Sequence, residues 1–127
     1  MGKREAPIQR AIVGYLRRVM PGAVVHHCKN EINKRGKAIA IELSQAKANG
    51  SVTGFPDLIV ITHVGTLFFE VKAEGNYATP AQKAVHASIS ALGHRVAVVR
   101  SIDDVRECLI AWSVGFIETL PIRGTVT

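Results

Sequence analysis

The sequence is short of cysteine, of acidic residues and of long apolar runs, and each shortage removes a class of protein. Cys28 and Cys108 are the only two cysteines, far apart and outside any CxxC spacing, so neither a disulfide framework nor a zinc knuckle is expected. His26-His27-Cys28 does not supply a zinc site either. Neighbouring side chains on a strand point to opposite faces, and the ligand spacing of such sites is missing. No apolar run approaches the ~20 residues of a membrane span. The start, Met1-Gly2-Lys3-Arg4-Glu5, is not followed by the apolar stretch of a secretory signal. The expectation is a soluble intracellular protein, in the cytoplasm or, for a viral chain, the host cytoplasm. Acidic residues number 10 against 16 basic ones, giving a net charge of +6. That balance suggests a polyanionic partner, most simply nucleic acid.

What is present is enough for one compact fold. The chain has 127 residues, 47% of them apolar and 20% charged, which suits a single domain with one core. Pro7 sits where the first turn of a helix tolerates a missing N–H. Ile8, Ile12, Tyr15, Leu16 and Val19 then form one apolar stripe at helical spacing, which Pro21-Gly22 ends. Val24 to His27 reads as a short strand and Lys29 to Lys37 as a basic loop. Ala38 to Asn49 is rich in helix formers and closes at Gly50. Leu58 to Ile61 and Thr66 to Phe69 flank a turn at His63-Val64-Gly65 and predict a hairpin. A helix begins at Thr79-Pro80-Ala81-Gln82 and runs to Gly93. Val96 to Val99 reads as a buried strand, and Ser101-Ile102-Asp103-Asp104 as the capped start of a last helix ending near Trp112. From Ser113 only a weak strand or tail is visible. The core order is αβββαβ, an α/β domain with a mixed sheet flanked by helices, because the β-α-β unit after the hairpin is expected to be parallel.

Asp57 opens the first hairpin strand, and Glu70 and Lys72 close the second. Glu70 and Lys72 share a face, with Val71 on the other. With Val64 and Gly65 at the centre of the turn, Asp57 lies opposite Lys72 and Ile59 opposite Glu70, all on one face. Two carboxylates at a partly buried sheet end resist joint ionisation, and a divalent cation reverses this. Lys72 beside them can orient a water, help deprotonate it or stabilise a phosphorane-like transition state. The plainer reading makes Asp57 a turn cap beside Pro56 and Glu70–Lys72 a surface pair worth ~0–1 kcal/mol. The geometry of the sequence leaves both open.

Pro56-Asp57 followed by Glu70-Val71-Lys72 matches the PD-(D/E)XK nuclease signature, and the wider pattern resembles the VRR-NUC family, especially its small stand-alone, virus-type members. Glu5 with Ile8-Gln9, Asn30-Glu31, Arg35-Gly36, Gly54-Phe55, Gln82, Gly93 and Val96 to Val99 continue the match over residues 4 to 110. The resemblance implies a restriction-endonuclease-like fold over a single domain, 1–127, with its core at about 4–112 and an unassigned extension at 113–127. It implies that Asp57, Glu70, the Val71 carbonyl and Glu5 bind Mg²⁺ or Mn²⁺, that Lys72 acts on the attacking water, and that Gln82 places water, metal or phosphate.

Three of these residues keep a second explanation. Glu5 also suits the positive end of a helix dipole, Thr79 and Gln82 have the spacing of a capping box, and Gln9 shares a helical face with Glu5 but equally suits solvent. Lys34, Arg35 and Lys37 are placed on DNA phosphates. The implied activity is metal-dependent hydrolysis of DNA phosphodiesters, structure-selective on branched DNA in the manner of Holliday-junction resolvases. One site per small domain makes a homodimer the expected way to cut two strands. The alternative is a non-catalytic nucleic-acid-binding module whose acidic site is vestigial.

Overall fold

The computed structural model describes residues 4–28 and 37–117. Helix α1 (Glu5–Val19) follows from the predicted stripe: Ile12, Tyr15, Leu16 and Val19 are buried, and the chain leaves the helix at Met20. Strand β1 (Val24–His27) precedes α2 (Lys37–Ala48) in the chain. Then come β2 (Leu58–Thr62), β3 (Gly65–Val71), α3 (Pro80–Ala91), β4 (Arg95–Val99) and α4 (Ile102–Ala111). The αβββαβ order is present, with α2 as an addition. The strands form one sheet in the order β1-β2-β3-β4, antiparallel at the first two junctions and parallel between β3 and β4.

Strand alternation sorts the sheet into two faces. Leu58 and Val60 of β2, Leu67, Phe69 and Val71 of β3 and Val99 of β4 join Ile12, Leu16 and Val19 of α1 and Val105 and Leu109 of α4 in the apolar core. Trp112 stacks on Phe69 with ring centroids 5.6 Å apart. On the opposite face Phe68 meets the Phe55 and His94 rings edge-on. This second face carries Glu70.

Two expectations need correction. The hairpin turn centres on His63-Val64 rather than Val64-Gly65: Thr62 pairs with Gly65 and Leu58 with Phe69. The Thr62 hydroxyl accepts from the Val64 N–H at 3.1 Å and donates to the Gly65 carbonyl at 2.8 Å, which closes a two-residue turn and leaves Gly65 as the first residue of β3. The register therefore shifts by two residues, which keeps every side chain on its predicted face. Second, β4 is an edge strand. Only Val99 is fully buried, while Val96, Ala97 and Val98 are half-buried. Of the weak strand or tail expected from Ser113, residues 114–117 take the second form, with no strand. Val114 is buried in the core, and the Ile117 N–H donates to the Val19 carbonyl at 2.8 Å, so this segment closes over the end of α1.

Helix α2 buries none of its residues. Ile39, Ile41 and Leu43 recur at every second position, a spacing that a helix scatters around its circumference. Lys37 is its exposed first residue, and among the described residues α2 makes no contact with the helices and strands that carry the site described below. Asn30, Glu31, Lys34, Arg35 and Gly36, on which the predicted phosphate contacts and part of the family pattern fall, lie outside the described residues, as do 118–127. No described helix is long and apolar enough to cross a membrane.

Candidate active site at the end of the hairpin

The buried polar and charged residues among those described are Glu5, Gln9, Asp57, Glu70 and Lys72. Burying such groups is costly unless they are partnered, yet Glu70 is 2% exposed, Asp57 8% and Lys72 9%. Continuing the hairpin register one step past Leu58–Phe69 sets Asp57 opposite Glu70, where the sequence reading had set it opposite Lys72. Asp57 Oδ2 accepts the Val71 N–H at 2.8 Å, and the Asp57 carbonyl accepts the Cys28 N–H at 2.7 Å. The residue that opens β2 is thus fixed to both neighbouring strands. Val71 sends its side chain into the core and contributes its N–H to this side.

Glu5 comes from the far end of the sequence. It is the first residue of α1, and its Oε2 accepts the Ala73 N–H at 3.2 Å and the Asn76 side-chain amide at 3.0 Å. Gln9, one turn on, is also buried, and its Oε1 has no hydrogen-bond partner among the described residues. Glu5, Asp57, Glu70, Lys72 and Gln82 line one cavity of about 380 Å³.

Helix α3 supplies the other wall, and the two explanations of Gln82 turn out to be compatible. Gln82 completes the capping box: its N–H donates to the Thr79 hydroxyl at 3.2 Å and its Oε1 accepts the Thr79 N–H at 2.9 Å. The remaining Nε2 donates to Glu70 Oε2 at 3.3 Å. One turn later His86 Nε2 lies 3.3 Å from Glu70 Oε1. The sequence reading missed His86, although its i,i+4 spacing from Gln82 on a helix was a usable signal. The loop before Asp57 packs directly on this helix start. A Cβ at Gly54 would stand 2.7 Å from the Ala81 carbonyl and 2.8 Å from the Gln82 nitrogen, and Gly54 has φ +88°. Only glycine meets both conditions without displacing α3.

Burial pushes the Glu70 carboxyl up to about 9, with a hydrogen bond that it donates to Asp57 and the charges of Asp57 and Glu5 adding to it and Lys72 opposing. The Glu70 carboxyl is therefore held in its protonated form at neutral pH. Burial lowers His86, with Lys72 adding and Asp57 opposing. The His86–Glu70 contact is accordingly a hydrogen bond to a neutral imidazole rather than an ion pair. Burial raises the Cys28 thiol, helped by the charge of Asp57.

The donor set fits a hard divalent cation. The acidic groups offer oxygen only, and a cation between them would offset the like-charge repulsion of two buried carboxylates. The described residues hold no group of three metal-ligating side chains; Asp57 and Glu70 face each other, and Glu5 is tied to Ala73 and Asn76 beside them. Asp57, Glu70 and Lys72 on one wall and Gln82 on another can position a phosphate, a cation and a water together.

No family model matches the sequence, and no curated protein is significantly similar to it. Solved structures are. One, a VRR_NUC domain protein, superposes with a TM-score of 0.66 at 25% identity, covering 94% of this chain and 99% of its own. Another, a VRR_NUC domain, gives a TM-score of 0.57 at 26% identity over 87% of this chain and 97% of its own. The mixed four-stranded sheet with flanking helices is consistent with their restriction-endonuclease-like fold.

Proposed function

We propose that this chain, a member of the VRR-NUC family, is a divalent-metal-dependent DNA endonuclease with its site at the end of the hairpin. The observation that carries the reading is the buried pair of acids, Asp57 and Glu70, set opposite each other at the end of the hairpin and facing a cavity that Lys72 also lines. Structural carboxylates rarely accept such an arrangement without a functional return.

In this reading Asp57 and Glu70 hold Mg²⁺ or Mn²⁺, with the Val71 carbonyl as a further ligand and Glu5 adding negative charge. When bound, the cation supplies Lewis-acid polarisation of the phosphate and a more acidic water. Lys72 orients the attacking water and stabilises the charge that builds on the phosphoryl oxygens as the P–O bond to the leaving oxygen breaks. Gln82 and His86 fix the rotamer of Glu70. The described residues form one such site, so cutting two strands of a branched DNA calls for a homodimer. The +6 charge supports DNA as the partner.

A panel of four-way junction, fork, linear duplex and single strand, each with Mg²⁺, Mn²⁺ or EDTA, tests the substrate class. Preferential cutting of branched DNA supports the reading. Tight binding with no cutting under either metal favours the non-catalytic module. Sedimentation of the protein with and without junction DNA tests the dimer.

A further inference from the structure

Tyr77 lies beside the site but has no part in the chemistry above. It is 75% exposed and is the one aromatic among the described residues with most of its surface in solvent. The other large rings are spent on packing: Phe55 and Phe68 on each other, Phe69 and Trp112 on each other, Tyr15 in the core.

Tyr77 is nevertheless held in place. The Arg100 guanidinium stands 5.4 Å from the centroid of its ring. Arg100 Nη2 donates to the Asn76 carbonyl at 2.5 Å, and the Arg100 N–H donates to Asp104 Oδ2 at 2.8 Å at the start of α4. The Asn76 side chain donates in turn to Glu5. The ring is thus backed by a cation while most of its surface stays in solvent. It is one residue from Asn76 and two from Thr79, which lines the cavity, and two residues of chain span at most about 7 Å. That is about two nucleotide steps along a stacked strand.

We propose that Tyr77, braced by Arg100, is a stacking platform for an unpaired nucleobase next to the phosphate in the cavity. The proposal rests on the nuclease reading of that cavity. A flat aromatic face with an adjacent guanidinium is the chemistry that captures a splayed base, through stacking and cation–π attraction, while the same cation serves the neighbouring phosphate. A base inside a duplex has both faces occupied and cannot use the platform. The platform therefore selects DNA whose strand has left the stack at the cutting point, as at a fork, a junction or a single-stranded end.

The test separates this proposal from the nuclease reading by measuring binding in EDTA, where no cutting occurs. A single strand and a duplex of the same sequence, the single strand carrying one 2-aminopurine, are titrated with wild type, Tyr77→Ala and Tyr77→Phe of verified thermal stability. The expected result is that Tyr77→Ala lowers the ratio of single-strand to duplex affinity by roughly tenfold and abolishes quenching of 2-aminopurine, while Tyr77→Phe retains both. An unchanged ratio and unchanged quenching in Tyr77→Ala overturn the platform, even if the protein cuts DNA. Conversely, a Tyr77-dependent ratio in a protein that cuts nothing with metal would uphold the platform and refute the nuclease.

Discussion

The side chain of Gln82 donates from Nε2 to Glu70 Oε2 at 3.3 Å while its Oε1 accepts the Thr79 N–H at 2.9 Å. One amide therefore caps α3 and holds a site carboxyl, and the two duties can be separated by mutation. Glu at the same position still completes a capping box but sets a negative charge against Glu70. Gln82→Glu is expected to unfold within about 1 kcal/mol of wild type and to cut at least about tenfold more slowly. Denaturant titration and a cleavage time course on the same preparation check both halves.

Gly54 makes a similar demand on the backbone. Gly54→Ala places a methyl 2.7 Å from the Ala81 carbonyl at a φ of +88°. The expected cost is roughly 1–3 kcal/mol from strain and overpacking. Because the displaced element is the start of α3, cleavage should also fall. Chemical denaturation of the variant with wild type as reference measures the first effect. A variant as stable as wild type would show that the loop does not depend on this contact.

The raised Glu70 carboxyl gives a pH dependence with a definite sign. Its ordinary value is 4.5 and burial carries it to about 9, so between these the folded state retains a proton that the unfolded chain has released. Stability of the metal-free protein from this group is present at the acid end of the window and is lost as pH rises through it. Melting temperature in EDTA should fall from pH 5 to 9, and Glu70→Gln should flatten that slope. Mn²⁺ should raise the melting temperature of wild type more at pH 8 than at pH 6, because fewer protons compete with it. Asp57→Ala is a poorer probe, since it leaves the Val71 N–H without its acceptor.

His86 orients Glu70 from the second turn of α3 at 3.3 Å. Partners of this kind are worth about 10- to 100-fold in metal affinity. His86→Ala is expected to weaken Mn²⁺ binding by that order, read by calorimetry, with partial recovery in His86→Gln. Equal affinity in wild type and His86→Ala would remove it from the site.

The hairpin and the shared face of Asp57, Glu70 and Lys72 were legible in the sequence because strand alternation has a period of two. An error of two residues in the register moves pairings without moving faces. The register itself was not legible. Gly65 looks like the centre of a turn, and it was the Thr62 hydroxyl that shortened the loop. Glu5 could be assigned a role only through the family resemblance, since its contacts with Ala73 and Asn76 span most of the chain. For Gln82 the sequence offered capping or function, and its side-chain amide caps α3 with one end and bonds Glu70 with the other. Helix α2 was readable as a helix from its residue types, but its alternating Ile39, Ile41 and Leu43 already argued against a buried face.

The central claim, that Asp57, Glu70 and Lys72 form a hydrolytic site, is tested most directly by a single comparison. Wild type and Lys72→Ala, matched for melting temperature, are incubated with a labelled four-way junction in Mg²⁺ and in EDTA. The account predicts cutting by wild type in Mg²⁺ only, and a rate at least about 100-fold lower in Lys72→Ala. Cutting by Lys72→Ala at the wild-type rate, or cutting that persists in EDTA, would contradict it.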